Sequence, residues 1–294
     1  EAVDREPSAP RPSPRPPLAA RPRSLSVTQI KTLIRDPYAI YARHSLRLRA
    51  LNPLVQSPDA PLRGTVTHAV MEHFIKSVMA DPTNLNRDHL LEVAETVLGD
   101  LVPWPAARTI WLAKLARVSD WFIEAEAARL KNSKPIAFEE DARGSLTIAE
   151  LGFTISGVAD RIDQSAEGDV QIYDYKTGKP PTDKQQKHFD KQLLIEAAML
   201  EEGAFKAVGA APVSRATFIG LGNPPMEVNA PLEEEPPSVT LANLRKLIAA
   251  YFDPEQGFTA RRMMERDGFA GEYDHLARFG EWDGSDLATT EDLT

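Results

Sequence analysis

Two short apolar runs that each end in an acid, within residues 157–178, constrain this chain more than anything else in it. Gly157-Val158-Ala159-Asp160 closes the first run and Ile172-Tyr173-Asp174-Tyr175-Lys176 the second, with residues 164–169, including Gly168, as the turn between them. β-Branched and aromatic residues in such runs read as strands, and a short connection makes the two strands antiparallel neighbours. Asp160 and Asp174 are therefore expected side by side. A period of two then places Asp174 and Lys176 on one face, with Tyr175 opposite. Charges on otherwise apolar strands are unfavourable unless paired or metal-bound, so these residues form a candidate site.

The flanking sequence supplies a mixed α/β (α+β) frame. Ser26 can cap a helix whose Ile30, Leu33 and Ile34 recur at helical spacing. Residues 46–61 read as a loop, and 63–74 as a helix on which His68 and Glu72 share a face. Amphipathic helices are predicted over 86–99 and 105–131, with Trp104, Trp111, Trp121 and Phe122 as core. The period then changes, and 136–148, 151–162 and 170–175 form a predicted three-stranded meander in which Asp163 reads as a hairpin residue. A helix over 185–202, a strand over 215–221 and a helix over 239–252 follow. With an inserted helical region at about 81–131 set aside, the order from the His68 helix onward is α-β-β-β-α-β.

Three regions are expected: 1–24, 25–252 and 253–294. The first holds seven prolines and five arginines and reads as a flexible basic linker. The second is the core domain, and the third is a tail that wraps it, with Phe258, Phe269, Tyr273, Phe279 and Trp282 as anchors. Glu1 in place of a methionine suggests a piece of a longer polypeptide. No run approaches a membrane span and no signal-peptide pattern opens the chain, so a cytoplasmic protein without membrane contact is the expectation.

Cysteine is absent, which excludes disulfides, thiolate nucleophiles and cysteine-held metal or iron–sulfur centres. Any metal must be held by oxygen or imidazole, and two aspartates at strand ends suit Mg²⁺, with the Tyr175 carbonyl as a further donor. Such a cation serves phosphodiester hydrolysis by neutralising developing charge, with Lys176 beside it. Lys179, Lys184, Lys187 and Lys191 follow at once, a basic track along which a phosphate backbone could run, although the net charge is −9. No phosphate-binding Gly-Lys-Ser/Thr loop of the ATPase kind occurs.

The α-β-β-β-α-β order, Gly157-Val158-Ala159-Asp160-Arg161-Ile162-Asp163, Tyr173-Asp174-Tyr175-Lys176-Thr177-Gly178 and the following Gln192 helix resemble the PD-(D/E)XK nucleases of the RecB type. Among these, the chain is similar over most of 25–294 to the C-terminal nuclease domains of AddB-type subunits of bacterial AddAB helicase–nucleases. The resemblance implies a restriction-endonuclease-like core, His68, Asp160 and Asp174 around Mg²⁺ (or Mn²⁺), a catalytic Lys176, and Gln192 near DNA and site. It also implies an exonuclease that cuts single-stranded DNA during double-strand break processing for recombinational repair, with an AddA-like helicase–nuclease subunit as partner. Two departures stand out: Glu196 occupies the family's Gln-x-x-x-Tyr tyrosine position, and the four cysteines of an iron–sulfur cluster are missing, the first at Asp36. The alternative is a module that keeps the nuclease fold but only guides DNA or docks a partner.

Overall fold

The computed structural model describes residues 7–51, 53–264 and 270–293. In chain order the elements are β1 (Arg11–Arg15), β2 (Ser24–Ser26), α1 (Val27–Arg35), α2 (Pro37–Ile40), α3 (Ala60–Ala80), α4 (Arg87–Leu101), α5 (Pro105–Ala116) and α6 (Ser119–Arg129). There follow β3 (Ser133–Phe138), β4 (Arg143–Ile148), β5 (Phe153–Val158), β6 (Arg161–Ser165), β7 (Val170–Lys176), α7 (Asp183–His188) and α8 (Gln192–Glu201). The last are β8 (Val213–Gly220), β9 (Met226–Asn229), α9 (Pro237–Ala250) and β10 (Ala288–Asp292). Among the described residues no helix is long and apolar enough to cross a membrane. The chain divides into two compact units: Glu1–Asn52 with Thr147–Ser156 and Leu241–Thr294, and Pro53–Leu146 with Gly157–Thr240.

In the first unit α1 begins as expected, with Ser26 and Gln29 forming a reciprocal capping box. The segment before it departs from the flexible linker expected over 1–24. Residues 11–15 form β1, paired in parallel with β10, while residues 1–6 lie outside the described residues. Arginine chemistry explains the difference. The buried Arg11 guanidinium donates to the carbonyls of Ala260, Arg261, Gly284 and Asp286, and that of Arg21 to Pro16, Tyr251, Asp253 and Pro254. Each cation thus satisfies four acceptors in chain with little regular structure of its own. Phe258, Tyr273 and Trp282 of the tail are buried, and Phe279 packs edge-on against Trp282; Phe269 lies outside the described residues.

The second unit is built on a five-stranded sheet in the order β3-β6-β7-β8-β9. β6 runs antiparallel to both β3 and β7, with Arg161 opposite Tyr173, whereas β7 and β8 are parallel, with Asp174 opposite Phe218. A parallel pair needs a long crossover, which α7 and α8 provide. The predicted meander is thereby corrected. A turn after Phe138 splits its first strand, a break at Ala159-Asp160 splits its second, and the pieces β4 and β5 join β2 in a separate sheet, order β2-β5-β4. The helix predicted over 105–131 is likewise two, α5 and α6, and that over 185–202 is α7 and α8, so Gln192 opens its own helix.

Both faces of the five-stranded sheet are covered. Asp59 caps α3 by accepting from the Leu62 N–H, and the helix buries Val66, Val70, Met71, Phe74, Ile75 and Val78 in a cluster that includes Tyr173 and Tyr175 of β7. Full burial of such side chains contributes roughly 2 kcal/mol each. On the opposite face α8 buries every residue from Leu193 to Leu200. Alternation along β7 then sends its tyrosines to α3 and Asp174 to α8.

Beneath the first face lies a buried ionic network. Arg161 is bidentate to Asp163, with both hydrogen bonds at 2.6 Å, and meets Glu126 of α6 at 2.8 Å. Glu126 also holds Arg129 at 2.9 Å, and Arg129 reaches Glu227 of β9. Asp163 is consequently a fully buried partner of Arg161 within β6, and not the hairpin residue expected.

Candidate active site

Where β7 ends, the second unit gathers His68, Glu139, Asp160, Asp174, Lys176, Gln192 and Glu196. Asp160 sits in the break between β5 and β6, one position beyond the Arg161–Tyr173 pair. Its Oδ2 accepts the Tyr175 N–H at 2.7 Å, which continues the strand pairing through a side chain. His68 lies on the α3 face that meets β7 and donates from Nε2 to the Tyr175 carbonyl at 2.8 Å. That contact leaves Nδ1 facing Asp160 at 3.3 Å and Glu139 at 3.6 Å. Donor atoms of His68, Glu139 and Asp160 all lie within 4.8 Å of one another.

Asp174, expected beside Asp160 as a paired ligand, has its carboxylate engaged on the other side. Lys176 Nζ stands 2.7 Å from Oδ2, and Gln192 Nε2 donates to Oδ1 at 2.6 Å. The same Gln192 accepts from Lys176 at 3.2 Å and donates to Glu196 at 3.2 Å. Asp174 and Lys176 share a strand face, with Gln192 on the first turn of α8 above them. All six residues singled out by sequence therefore fall in one cluster. Glu72 does not join it, since it pairs with Lys76 one turn on. Lys191 pairs with Glu235, while Lys179, Lys184 and Lys187 stay exposed.

Glu139 escaped sequence reading because it is one of three consecutive acids after β3, none with a distinguishing period. Its backbone carries the one signal available, a φ of +32° in the left-handed region. A non-glycine residue there is strained by order of 1 kcal/mol, and such strain concentrates at functional sites.

The electrostatics of the cluster are those of too many acids in too little water. Burial, reinforced by Asp174, pushes the Asp160 carboxyl up to about 7, and burial raises Asp174 as well. Glu196 is raised well above its ordinary value by burial and then by Asp174 and Asp160, which favours its protonated form. Burial disfavours the His68 imidazolium, but Glu139, Asp160 and the Tyr175 carbonyl outweigh it and lift His68 to about 9. Lys176 follows the same pattern, with Asp174 more than offsetting its desolvation. The Nδ1 proton of His68 thus stands among the acids as a counter-charge. A hard divalent cation fits this donor set: an imidazole nitrogen already oriented by its other nitrogen, surrounded by carboxylate oxygens short of positive charge.

Among known proteins, the family model described as the PD-(D/E)XK nuclease superfamily matches residues 24–272. An uncharacterised protein of Rickettsia conorii is 35% identical over 189 residues, which are 63% of this chain and 23% of the relative. An uncharacterised protein of Rickettsia felis is 37% identical over 190 residues, 63% of this chain and 22% of the relative. An ATP-dependent helicase/deoxyribonuclease subunit of Oenococcus oeni is 24% identical over 243 residues, 72% of this chain and 21% of that relative. The chain spans about a fifth of the length of these relatives.

Proposed function

The chain belongs to the PD-(D/E)XK nuclease superfamily, and on that premise we propose that its second unit is a metal-dependent deoxyribonuclease. The observation that carries this reading is the buried Asp174 carboxylate shared between Lys176 and Gln192, beside the His68, Glu139 and Asp160 donor set. An acid–acid–lysine cluster in an apolar sheet is unfavourable to folding, and a site without chemistry has no use for it.

His68 Nδ1, Glu139, Asp160 and the neighbouring Asp174 would hold Mg²⁺ or Mn²⁺, while the Tyr175 carbonyl, expected as a further donor, takes the Nε2 proton on the far edge of the same imidazole. Bound there, the cation supplies neutralisation of charge on the phosphoryl oxygens. Around it the chain positions the reaction. Lys176 directs its ammonium to the attacking water or to a non-bridging oxygen, where charge grows as the P–O bond breaks. Asp174 holds that ammonium in place and Gln192 fixes the other carboxylate oxygen, so the lysine meets substrate already oriented. His68 locks the Tyr175 carbonyl, which sets the end of β7 relative to α3.

The substrate read from the basic stretch and from the family is single-stranded DNA. Similarity to ATP-dependent helicase/deoxyribonuclease subunits of Oenococcus oeni and Streptococcus mutans supports a place in double-strand break processing beside an AddA-like partner. Incubation of labelled single strands with the protein and Mg²⁺, beside Asp174→Ala, tests the chemistry. Wild type should cut and the variant should not, and chelation of the metal should stop cleavage. Intact DNA with both proteins, under conditions where DNA is bound, would refute the enzymatic reading in favour of a DNA-guiding module.

A further inference from the structure

Next to the catalytic cluster lies a notch of opposite character. Arg63, Thr67, Trp111, Lys114 and Thr177 line it over two leucines, and among these described residues there is no acid. It is small, with a volume of about 40 Å³. Arg63 Nη2 donates to the Thr177 hydroxyl at 3.3 Å, and Thr177 directly follows Lys176. Along α3, Arg63 precedes His68 by five residues, a rise of about 7.5 Å, close to the reach from one phosphate of an extended strand to the next. Lys114 is exposed on α5, and the Trp111 indole forms the wall.

The two sites separate charge. The acid cluster attracts a cation and repels phosphate, whereas two cations and two hydroxyls with no counter-acid suit a phosphodiester anion, and the guanidinium fork of Arg63 matches its oxygens. In a chain of net charge −9 such a lining is not the surface average. We propose that this notch binds the backbone phosphate of single-stranded DNA next to the one being hydrolysed, with Arg63 and Lys114 as its phosphate-binding residues and Thr177 linking it to Lys176. The proposal rests on the nuclease reading for the substrate, but its test does not require cleavage.

Affinity for a labelled single strand is measured over a series of salt concentrations in excess chelator, for wild type, Lys114→Gln and Arg63→Gln/Lys114→Gln. Each neutralised phosphate contributes about −0.7 to the slope of log affinity against log salt for single strands, and the notch holds one, so the slope should flatten in the single variant and by about 0.7 in the double. An oligonucleotide carrying one neutral methylphosphonate beside the cut position should bind wild type more weakly and the double variant no more weakly than the unmodified strand. Because Lys114 is exposed, its variant keeps the fold, and an unchanged melting temperature verifies this. Unchanged slopes in both variants would overturn the notch proposal even if wild type cuts DNA. Flattened slopes in a protein that fails to cut with Mg²⁺ would uphold the notch and remove the nuclease reading.

Discussion

The Glu196→Gln substitution should stabilise the metal-free protein by an amount that grows with pH. Glu196 is fully buried on α8, accepts from Gln192, and faces the negative charge of Asp174 and Asp160, so its folded-state pKa lies well above that of the unfolded chain. For an acid raised in this way the sign is unfavourable. Below the unfolded pKa both states are protonated and nothing is lost, but above it the unfolded chain gains by ionising while the folded one stays neutral. Stability therefore falls by up to about 1.4 kcal/mol per pH unit from roughly 4.3 until the folded-state pKa is reached. Glutamine has no proton to lose, keeps the oxygen that accepts from Gln192, and presents an N–H toward Asp174. Urea unfolding in excess chelator at several pH values between 5 and 7.5 measures the difference. Three of the four tryptophans, Trp104, Trp111 and Trp121, lie in the unit that carries Glu196, so a Trp282→Phe background makes fluorescence report on that unit. A wild-type-to-variant difference that is flat across this range would show Glu196 to be ionised in the fold and refute the reasoning.

Mg²⁺ should raise the melting temperature more at pH 8 than at pH 6, because binding needs Asp160 ionised (pKa about 7) and His68 neutral (pKa about 9); calorimetry with and without metal tests this, and Glu139→Gln should weaken the metal about tenfold or more. Arg161→Met strands Glu126 and Asp163 without their shared cation and should destabilise the second unit by roughly 3–5 kcal/mol, read as a drop in urea midpoint. Arg21→Ala leaves four carbonyls without their donor and should lower the stability of the first unit by about 1–3 kcal/mol, seen as a fall in the Trp282 fluorescence midpoint; a flexible linker would show no change.

What could be read from sequence here was what local periodicity encodes. The period of two put Asp174 and Lys176 on one face, and helical spacing behind a capping Ser26 placed α1. The hidden parts depend on partners far along the chain. Arg11 and Arg21 looked like solvated charges in a proline tract because their acceptors lie more than 200 residues away, apart from Pro16. Asp163 reads as a hairpin residue because the ionic network that buries it with Arg161 is completed by Glu126, on an inserted helix. The break at Asp160 escaped notice for a related reason: its carboxylate stands in for a ladder acceptor by taking the Tyr175 N–H, which hydropathy does not register.

The buried network of Glu126, Arg129, Arg161 and Asp163 also bears on the order of events in folding. No member can leave water before its counter-ions are in place without a penalty of several kcal/mol. α6 and β6, drawn from two distant stretches of sequence, must therefore seal together in one late step. A half-docked helical insertion is an unfavourable state, and heat or denaturant should dissolve the insertion and the Asp160 end of the sheet in a single transition.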